Sequence, residues 1–600
     1  MFNYYSLQFK ISTILSVLFL LSCTKSLIEP ETESPIKVKS VAPAIDPEIA
    51  PSIGFFLNQW QAKSFTKPAF TDGTPPASTT HTVLIDASAI ITKIPQTIFG
   101  HNANTWMGTF MDSPSLMEDI SNLSPNIIRW PAGSGSNMYF WNANPNYDPN
   151  QTGFQETLSE AYKNQWGVPS DFVKPDGTSE TAKFFYGQTN NYWRASLDNY
   201  YAMLAGTHNE GSICVNYSFA RYGTSKDPVA MAAKLAADWV RYDAGRTKIW
   251  EVGNENYASW EKGYRIDLSK NQDAQPEFLT GELYAKHFKV FADSMRNAAA
   301  EIGSDIRIGA VMQESETQDW QPITTKTWNQ GLLKEIGDAA DFYIAHNYIT
   351  PYNENSEAAN ILKDAIKLPA KMMAFLKGEI ATHGGQEKPI AFTEWNMWAK
   401  DRMQQVSNTS GAFSVIVQGE AIKNKYGMAA RWDLYNGWDN GNDHGLFSDG
   451  KGTDDPKMNA RPSFYHMYFF QKTIGDRLVE SVDKKDDNTP TSIKSYASTY
   501  NTGEMAVALV NTSNLPQNVA IETTNFNAGE RFYWYHLAGG TDNGDFSRKV
   551  IINGNNPKEG AGGPKNYTEI KAQSAKTRDG IKVSVPPYSS VFVLIDRLVL

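Results

Sequence analysis

Ile249-Trp250-Glu251-Val252-Gly253-Asn254-Glu255-Asn256-Tyr257 is an apolar run that stops in Gly-Asn-Glu. A short β-rich run closed by turn residues reads as a buried strand, and this one delivers a carboxylate at its C-terminal end. A second stretch has the same layout. Ile390-Ala391-Phe392-Thr393-Glu394-Trp395-Asn396-Met397-Trp398 is an apolar strand ending in an acid, with aromatics and an amide beside it. Outward from these two, the alternation continues in both directions. β-rich runs at 98–103, 126–130, 212–219, 248–255, 307–313, 341–349, 389–395 and 429–435 alternate with amphipathic helical stretches. Eight such units predict a closed (β/α)8 barrel, with the two acids on its fourth and seventh strands.

The intervening helices carry their own signals. Asp227-Pro228 reads as an N-cap followed by Pro at the first helical position. Met231, Leu235 and Trp239 then recur at i, i+4 spacing. Stretches 282–302, 358–380 and 413–426 behave alike, and Gly303 and Gly427 fall where helices end. One connection is long: residues 134–189 follow the second strand, on the face where barrel active sites are built. It contains Trp141, Tyr147, Trp166, Phe184, Phe185 and Tyr186, and Trp141 is the candidate there for substrate contact.

The barrel is expected over 98–475. Short alternating stretches separated by turns then predict a C-terminal all-β sandwich over 476–600. The strand His-Thr-Val-Leu-Ile-Asp-Ala at 81–87, within segment 76–97, is expected to return to that sandwich. Ahead of it, 24–75 reads as a Pro-, Glu- and Ser-rich tether with an aromatic extension.

The formal net charge of the 600 residues is -10, with no basic block, which argues against nucleic acid as a partner. Aromatics make up 12%, including 16 Trp. In a polar, acidic protein such rings suit sugar binding, because a pyranose stacks its apolar face on a ring. The two cysteines, Cys23 and Cys214, make neither a disulfide framework nor a four-thiolate zinc site. Cys214 reads as a small buried hydrophobe. The apolar stretch 11–21 is too short for a membrane span and suits a signal-peptide core. It ends Leu20-Leu21-Ser22-Cys23, resembling the bacterial lipobox, so 1–23 is expected to be a signal peptide with Cys23 lipidated. The protein is then expected in the cell envelope, touching membrane through its anchor alone.

Two carboxylates projecting into one barrel mouth are what retaining glycoside hydrolysis requires. Glu255 is the candidate acid/base and Glu394 the candidate nucleophile. Their pKa values must be split by environment. Trp395 is a candidate to shield its neighbour, Asn254 to bond the hydroxyl beside the anomeric carbon, and Asn396 to contact substrate.

The chain resembles the clan of retaining (β/α)8 glycosidases with both acids at the ends of strands four and seven. Within it, the likeness is nearest to the α-L-arabinofuranosidase family that also holds some endoglucanases. It rests on Ile98-Phe99-Gly100-His101, on Arg129-Trp130-Pro131-Ala132-Gly133, and on Gly253-Asn254-Glu255. His346-Asn347-Tyr348 and Glu394-Trp395-Asn396-Met397-Trp398 complete it. The resemblance implies a barrel followed by a sandwich and double displacement on a plant or algal polysaccharide or its oligosaccharides. The chain departs from that family at Ala132, in its eighth strand 431–436 and in the long second loop. Endo-glycanase and α-L-arabinofuranosidase action both stay open.

His346 and Tyr348 are candidates to position the nucleophile, and Arg129 to hold its carboxylate or a neighbouring acid. Trp432 and Asp433 are candidates for sugar subsites. Glu251 lies deeper on the same strand face as Glu255, an inward residue with a structural partner. No metal or cofactor is expected: there is no His-Glu-x-x-His, and Gly133-Ser134-Gly135 lacks the rest of a dinucleotide fingerprint. The competing reading is a glycan-binding surface lipoprotein that no longer catalyses. Both acids being present weighs against it.

Overall fold

The computed structural model describes residues 40–108, 110–147, 156–188, 194–437, 439–487 and 489–599. The expected signal segment, Cys23 and the first part of the tether lie outside them. Among the described residues, no helix is long and apolar enough to cross a membrane.

Eight parallel strands close into a barrel in chain order. They are β1 (Gly100–Asn102), β2 (Ile127–Trp130), β3 (Glu210–Val215), β4 (Ile249–Val252), β5 (Arg307–Val311), β6 (Phe342–Tyr348), β7 (Ile390–Asn396) and β8 (Met428–Arg431). Each overlaps one of the eight runs read from the sequence, with Glu210–Val215 starting two residues before its run, Met428–Arg431 one residue before and Ile390–Asn396 ending one residue beyond. The helices form as their caps direct. Asp227 accepts the Ala230 N–H at 2.9 Å, and Pro228 opens the helix Pro228–Asp243. Leu235, Ala236, Trp239 and Val240 of that helix are buried. Gly427 has a different reason from the helix end expected for it. Lys425 takes the left-handed conformation there, with φ 63°. Gly427 permits a close approach instead: a Cβ on it would lie 2.2 Å from Phe56 Cδ2.

That contact belongs to the N-terminal extension, which closes the base of the barrel. The Ser52 carbonyl accepts the Ile390 N–H at 2.8 Å, at the start of β7. Phe56 meets Phe342, at the start of β6, with ring centroids 5.7 Å apart. Trp60 lies under Lys93 and Arg477, at 4.6 and 4.9 Å. A cavity of about 240 Å³ remains between this segment and the strand starts near Asn126, Lys248 and Arg307.

The sandwich is one eleven-stranded sheet folded over its own core. Val83, Ile85, Val507, Leu509, Val583 and Val593 meet inside it. His81–Lys93 lies between Arg477–Lys485, antiparallel, and Gln517–Thr524, parallel. Arg477–Lys485 and Ala572–Lys576 are strands that their sequences, Arg-Leu-Val-Glu-Ser-Val-Asp-Lys-Lys and Ala-Gln-Ser-Ala-Lys, do not announce. Pairing on both sides overrides their weak β propensity. The sandwich docks on the helix Asn408–Lys423, which is buried on nearly every face. Tyr496 donates to the Ile416 carbonyl at 3.2 Å, and the Asn408 amide donates to Ser589 Oγ at 2.8 Å. This fixes the helix behind β7.

Candidate active site

The site grows from Arg129, fully buried on β2. Its Nε donates to Glu251 Oε2 at 2.8 Å, and Nη1 to Asn102 Oδ1 at 3.1 Å and Glu394 Oε2 at 3.2 Å. Its Nη2 donates to Asn254 Oδ1 at 2.9 Å. A buried guanidinium is tolerable only when paired and bonded in this way. Arg129 thus ties four elements together, β1, β2, β4 and β7. Glu251 is its ion-pair partner inside the barrel.

Glu394 reaches the mouth through a bulge. Ala345 pairs with Phe392 and the next residue, His346, pairs with Glu394, so β7 carries one extra residue at Thr393. Bulges re-aim side chains beside active sites. Here Thr393 Oγ1 bonds His346 Nε2 at 3.0 Å, while the Tyr348 hydroxyl donates to Glu394 Oε1 at 2.6 Å. On β4, the chain leaves the strand at Gly253, φ 82°, where a Cβ would lie 2.0 Å from Asn256 Oδ1. Glu255 itself has φ 46°, left-handed backbone that is costly for a non-glycine residue and concentrates at functional sites. Its Oε1 lies 3.0 Å from His346 Nδ1.

The two carboxyl groups meet across one pocket. An oxygen of Glu255, one of Glu394 and a ring nitrogen of His346 all lie within 4.8 Å of one another. A group this tight is also of the size that holds a cation. The Arg129 guanidinium already occupies Glu394 Oε2, which disfavours a second positive charge there. Burial pushes the Glu255 carboxyl up to about 7, against the pull of Arg129 and of Trp260, whose indole is within hydrogen-bonding reach. Burial lifts Glu394 as well and the neighbouring Glu255 adds to the rise, while the Arg129 guanidinium and the Tyr348 hydroxyl pull it down. His346 is neutral, since burial lowers it to about 4.

Aromatic rings frame the opening. Trp432 stands by Glu394: a Cβ on Gly133 would lie 3.2 Å from the Trp432 indole and 3.4 Å from Glu394 Oε2. Trp398 stacks on Tyr348 at 4.3 Å, and the exposed Tyr352 meets its edge at 5.1 Å. Trp260 is 61% exposed.

Of the sequence candidates, Glu255, Glu394, Asn254, Arg129, His346, Tyr348 and Trp432 come together. Four do not reach the pocket. Trp141 is buried in the second loop against Trp239 and Tyr242, and its N–H donates to the Leu235 carbonyl at 2.9 Å. Trp395 points behind β7 onto Phe413, because adjacent strand residues face opposite ways and Glu394 takes the inside. Asn396 donates to the Trp432 carbonyl and accepts the Met397 N–H at 2.8 Å, so its amide serves the backbone. Asp433 is fully buried under the Asn104 amide, its carboxyl pushed up to about 8 by burial. Residues not singled out include Asn102 at the end of β1, Thr393 in the bulge, and Trp260 and Glu261 just past Glu255. The last two stood five and six residues beyond an acid already chosen, on the same loop.

No family model matches the sequence, and no curated protein matches it either. Solved structures do. An α-L-arabinofuranosidase from Thermotoga maritima, in complex with arabinose, is 16% identical with a TM-score of 0.56, over 86% of this chain and all of that one. AbfB, a family 51 α-L-arabinofuranosidase from Bifidobacterium longum, is 13% identical with a TM-score of 0.56, over 87% of this chain and 100% of its own. CelM2, a bifunctional glucanase-xylanase from a metagenome library, is 12% identical with a TM-score of 0.53, covering 86% and 99%. The likeness establishes a shared fold, a barrel with its sandwich, along nearly the full length of those proteins.

Proposed function

We propose that the chain is a retaining glycoside hydrolase, with Glu255 as acid/base and Glu394 as nucleophile. One observation carries this reading: an oxygen of Glu255 and an oxygen of Glu394 lie within 4.8 Å of each other, beside a neutral His346. Retaining enzymes hold their acids about 5–5.5 Å apart, whereas inverting ones leave room for a water. The protonated Glu255 gives its proton to the glycosidic oxygen as the Glu394 carboxylate attacks the anomeric carbon. The carbon–oxygen bond to the leaving group breaks and a glycosyl ester of Glu394 forms. Glu255, now ionised, takes a proton from water, whose oxygen attacks the same carbon and frees Glu394. Asn254 bonds the neighbouring hydroxyl, and Arg129 and Tyr348 hold the nucleophile ionised and aimed.

The substrate class is a plant or algal polysaccharide or its oligosaccharides. Rings at 260, 352, 398 and 432 around the mouth favour an enzyme that grips several sugars, as an endo-glycanase does. The lipobox-like leader ending at Cys23 supports a cell-envelope location on a lipid anchor. A panel of plant and algal polysaccharides, with products followed by proton NMR, tests the proposal. First products should keep the anomeric configuration of the bond cleaved, and oligosaccharides should precede monosaccharide. Inverted products would overturn the mechanism, and monosaccharide alone would overturn the endo reading.

A further inference from the structure

Glu261 is a carboxyl group of the mouth that the chemistry above does not use. It follows Glu255 by six residues, and only 4% of its surface is exposed. Its oxygens are met by three side chains. Oε1 accepts from Ser134 Oγ at 2.6 Å and from Asn254 Nδ2 at 3.4 Å. Oε2 accepts from Asn137 Nδ2 at 2.7 Å. Asn137 also grips the backbone of the same residue: Nδ2 donates to the Asn254 carbonyl at 2.7 Å, and Oδ1 accepts the Asn254 N–H at 3.4 Å.

This arrangement fixes the Asn254 amide in one orientation. Its Oδ1 takes a proton from Arg129 Nη2, and one of its two N–H groups goes to Glu261. A flipped amide would set NH2 against the Arg129 guanidinium, a repulsive contact in a buried place, and would give up the N–H donated to Glu261. With Oδ1 engaged and one N–H spent on Glu261, the second N–H is the donor left for a ligand. Ser134 and Asn137 open the long second loop, so that loop is part of the same clamp.

We propose that Glu261 is a positioning residue for the reaction: through Asn254 it aims an N–H donor at the hydroxyl beside the anomeric carbon, and through Ser134 and Asn137 it ties that donor to the second loop. This rests on the glycosidase reading of the same pocket. A hydrogen bond to that hydroxyl strengthens as the oxocarbenium-like transition state forms, so its aim governs kcat more than KM.

The test uses the full chain and two substrates, the 4-nitrophenyl glycoside of the shortest oligosaccharide released in the polysaccharide panel and its counterpart lacking the 2-hydroxyl on the reacting sugar. For the unaltered enzyme, loss of the 2-hydroxyl should lower kcat/KM roughly 10²-fold or more. In Glu261→Ala that ratio should shrink to less than about 10-fold, because the donor is already misaimed. The fall on the hydroxylated substrate should lie in kcat. Glu261→Gln keeps the shape and secures a folded protein. It should give an intermediate ratio, since its Nε2 would face the Asn137 amide donor. A variant that loses activity equally on both substrates has lost only packing, and that result overturns the proposal. If neither glycoside turns over with the unaltered enzyme, the glycosidase reading itself fails.

Discussion

The two ends of the barrel are built from opposite materials. At the base, Phe56 packs on Phe342 and over Gly427, and the contacts are apolar and tight. At the mouth, Arg129, Glu251, Glu394, His346 and Glu255 lie in one buried polar network. The base lowers the free energy of the fold by removing apolar surface from water. The mouth holds charge where charge is expensive, and gains reactivity from it. Substitutions at the two ends should therefore fail in different ways.

The largest effect is expected at the mouth. Glu394→Gln should lower kcat by at least about 10⁴-fold with its unfolding midpoint near that of the parent. Assays and thermal melts on one preparation check this, and a collapsed melt would assign the loss to folding instead. Glu255→Ala should slow substrates with poor leaving groups by roughly 10²–10⁴-fold and spare those that need no protonation. If both substrate kinds slow equally, the roles of the two acids are misassigned. At the base the pattern reverses. Phe56→Ala should cost about 3–5 kcal/mol of stability through the cavity left behind, yet keep kcat at temperatures where it stays folded. Gly427→Ala, which drives a methyl into Phe56, should cost about 1–3 kcal/mol with the same kinetic silence. A kinetic defect in either would mean that the base communicates with the mouth.

The smallest effect concerns pH. Glu255 must be protonated to act as the acid, and its carboxyl is pushed up to about 7, so kcat/KM should fall as pH rises through about 7. The same shift has a sign for stability. A carboxyl whose value is raised on folding contributes in full below its ordinary value of 4.5, and that contribution is lost as pH rises through about 7. In Glu255→Gln both the kinetic limb and that part of the stability profile should vanish.

The contrast also explains what the sequence made legible. Most barrel strands lie in short apolar runs bounded by turn residues, and each catalytic candidate follows such a run, so strands and acids could be read locally. Arg129 to Glu251 is a contact between separate strands, legible only as an inward residue awaiting a partner. Trp395 and Asn396 show where local reading stops. Both stand next to the nucleophile in the chain, but the bulge at Thr393 and the alternation after it turn the indole outward. Trp141 could not be placed, because its partners Trp239 and Tyr242 lie about a hundred residues on. The base was the least legible part. Nothing in Phe55 and Phe56 names the strand starts they cover, since aromatic packing has no local signature.

Labelling with an activated 2-fluoro glycoside of the sugar identified by the panel tests the central claim most directly. A covalent adduct should accumulate on the peptide containing Glu394, in one-to-one stoichiometry, and be released as activity returns. An adduct on another residue, or turnover with none formed, would contradict the assignment of Glu394 as the attacking group.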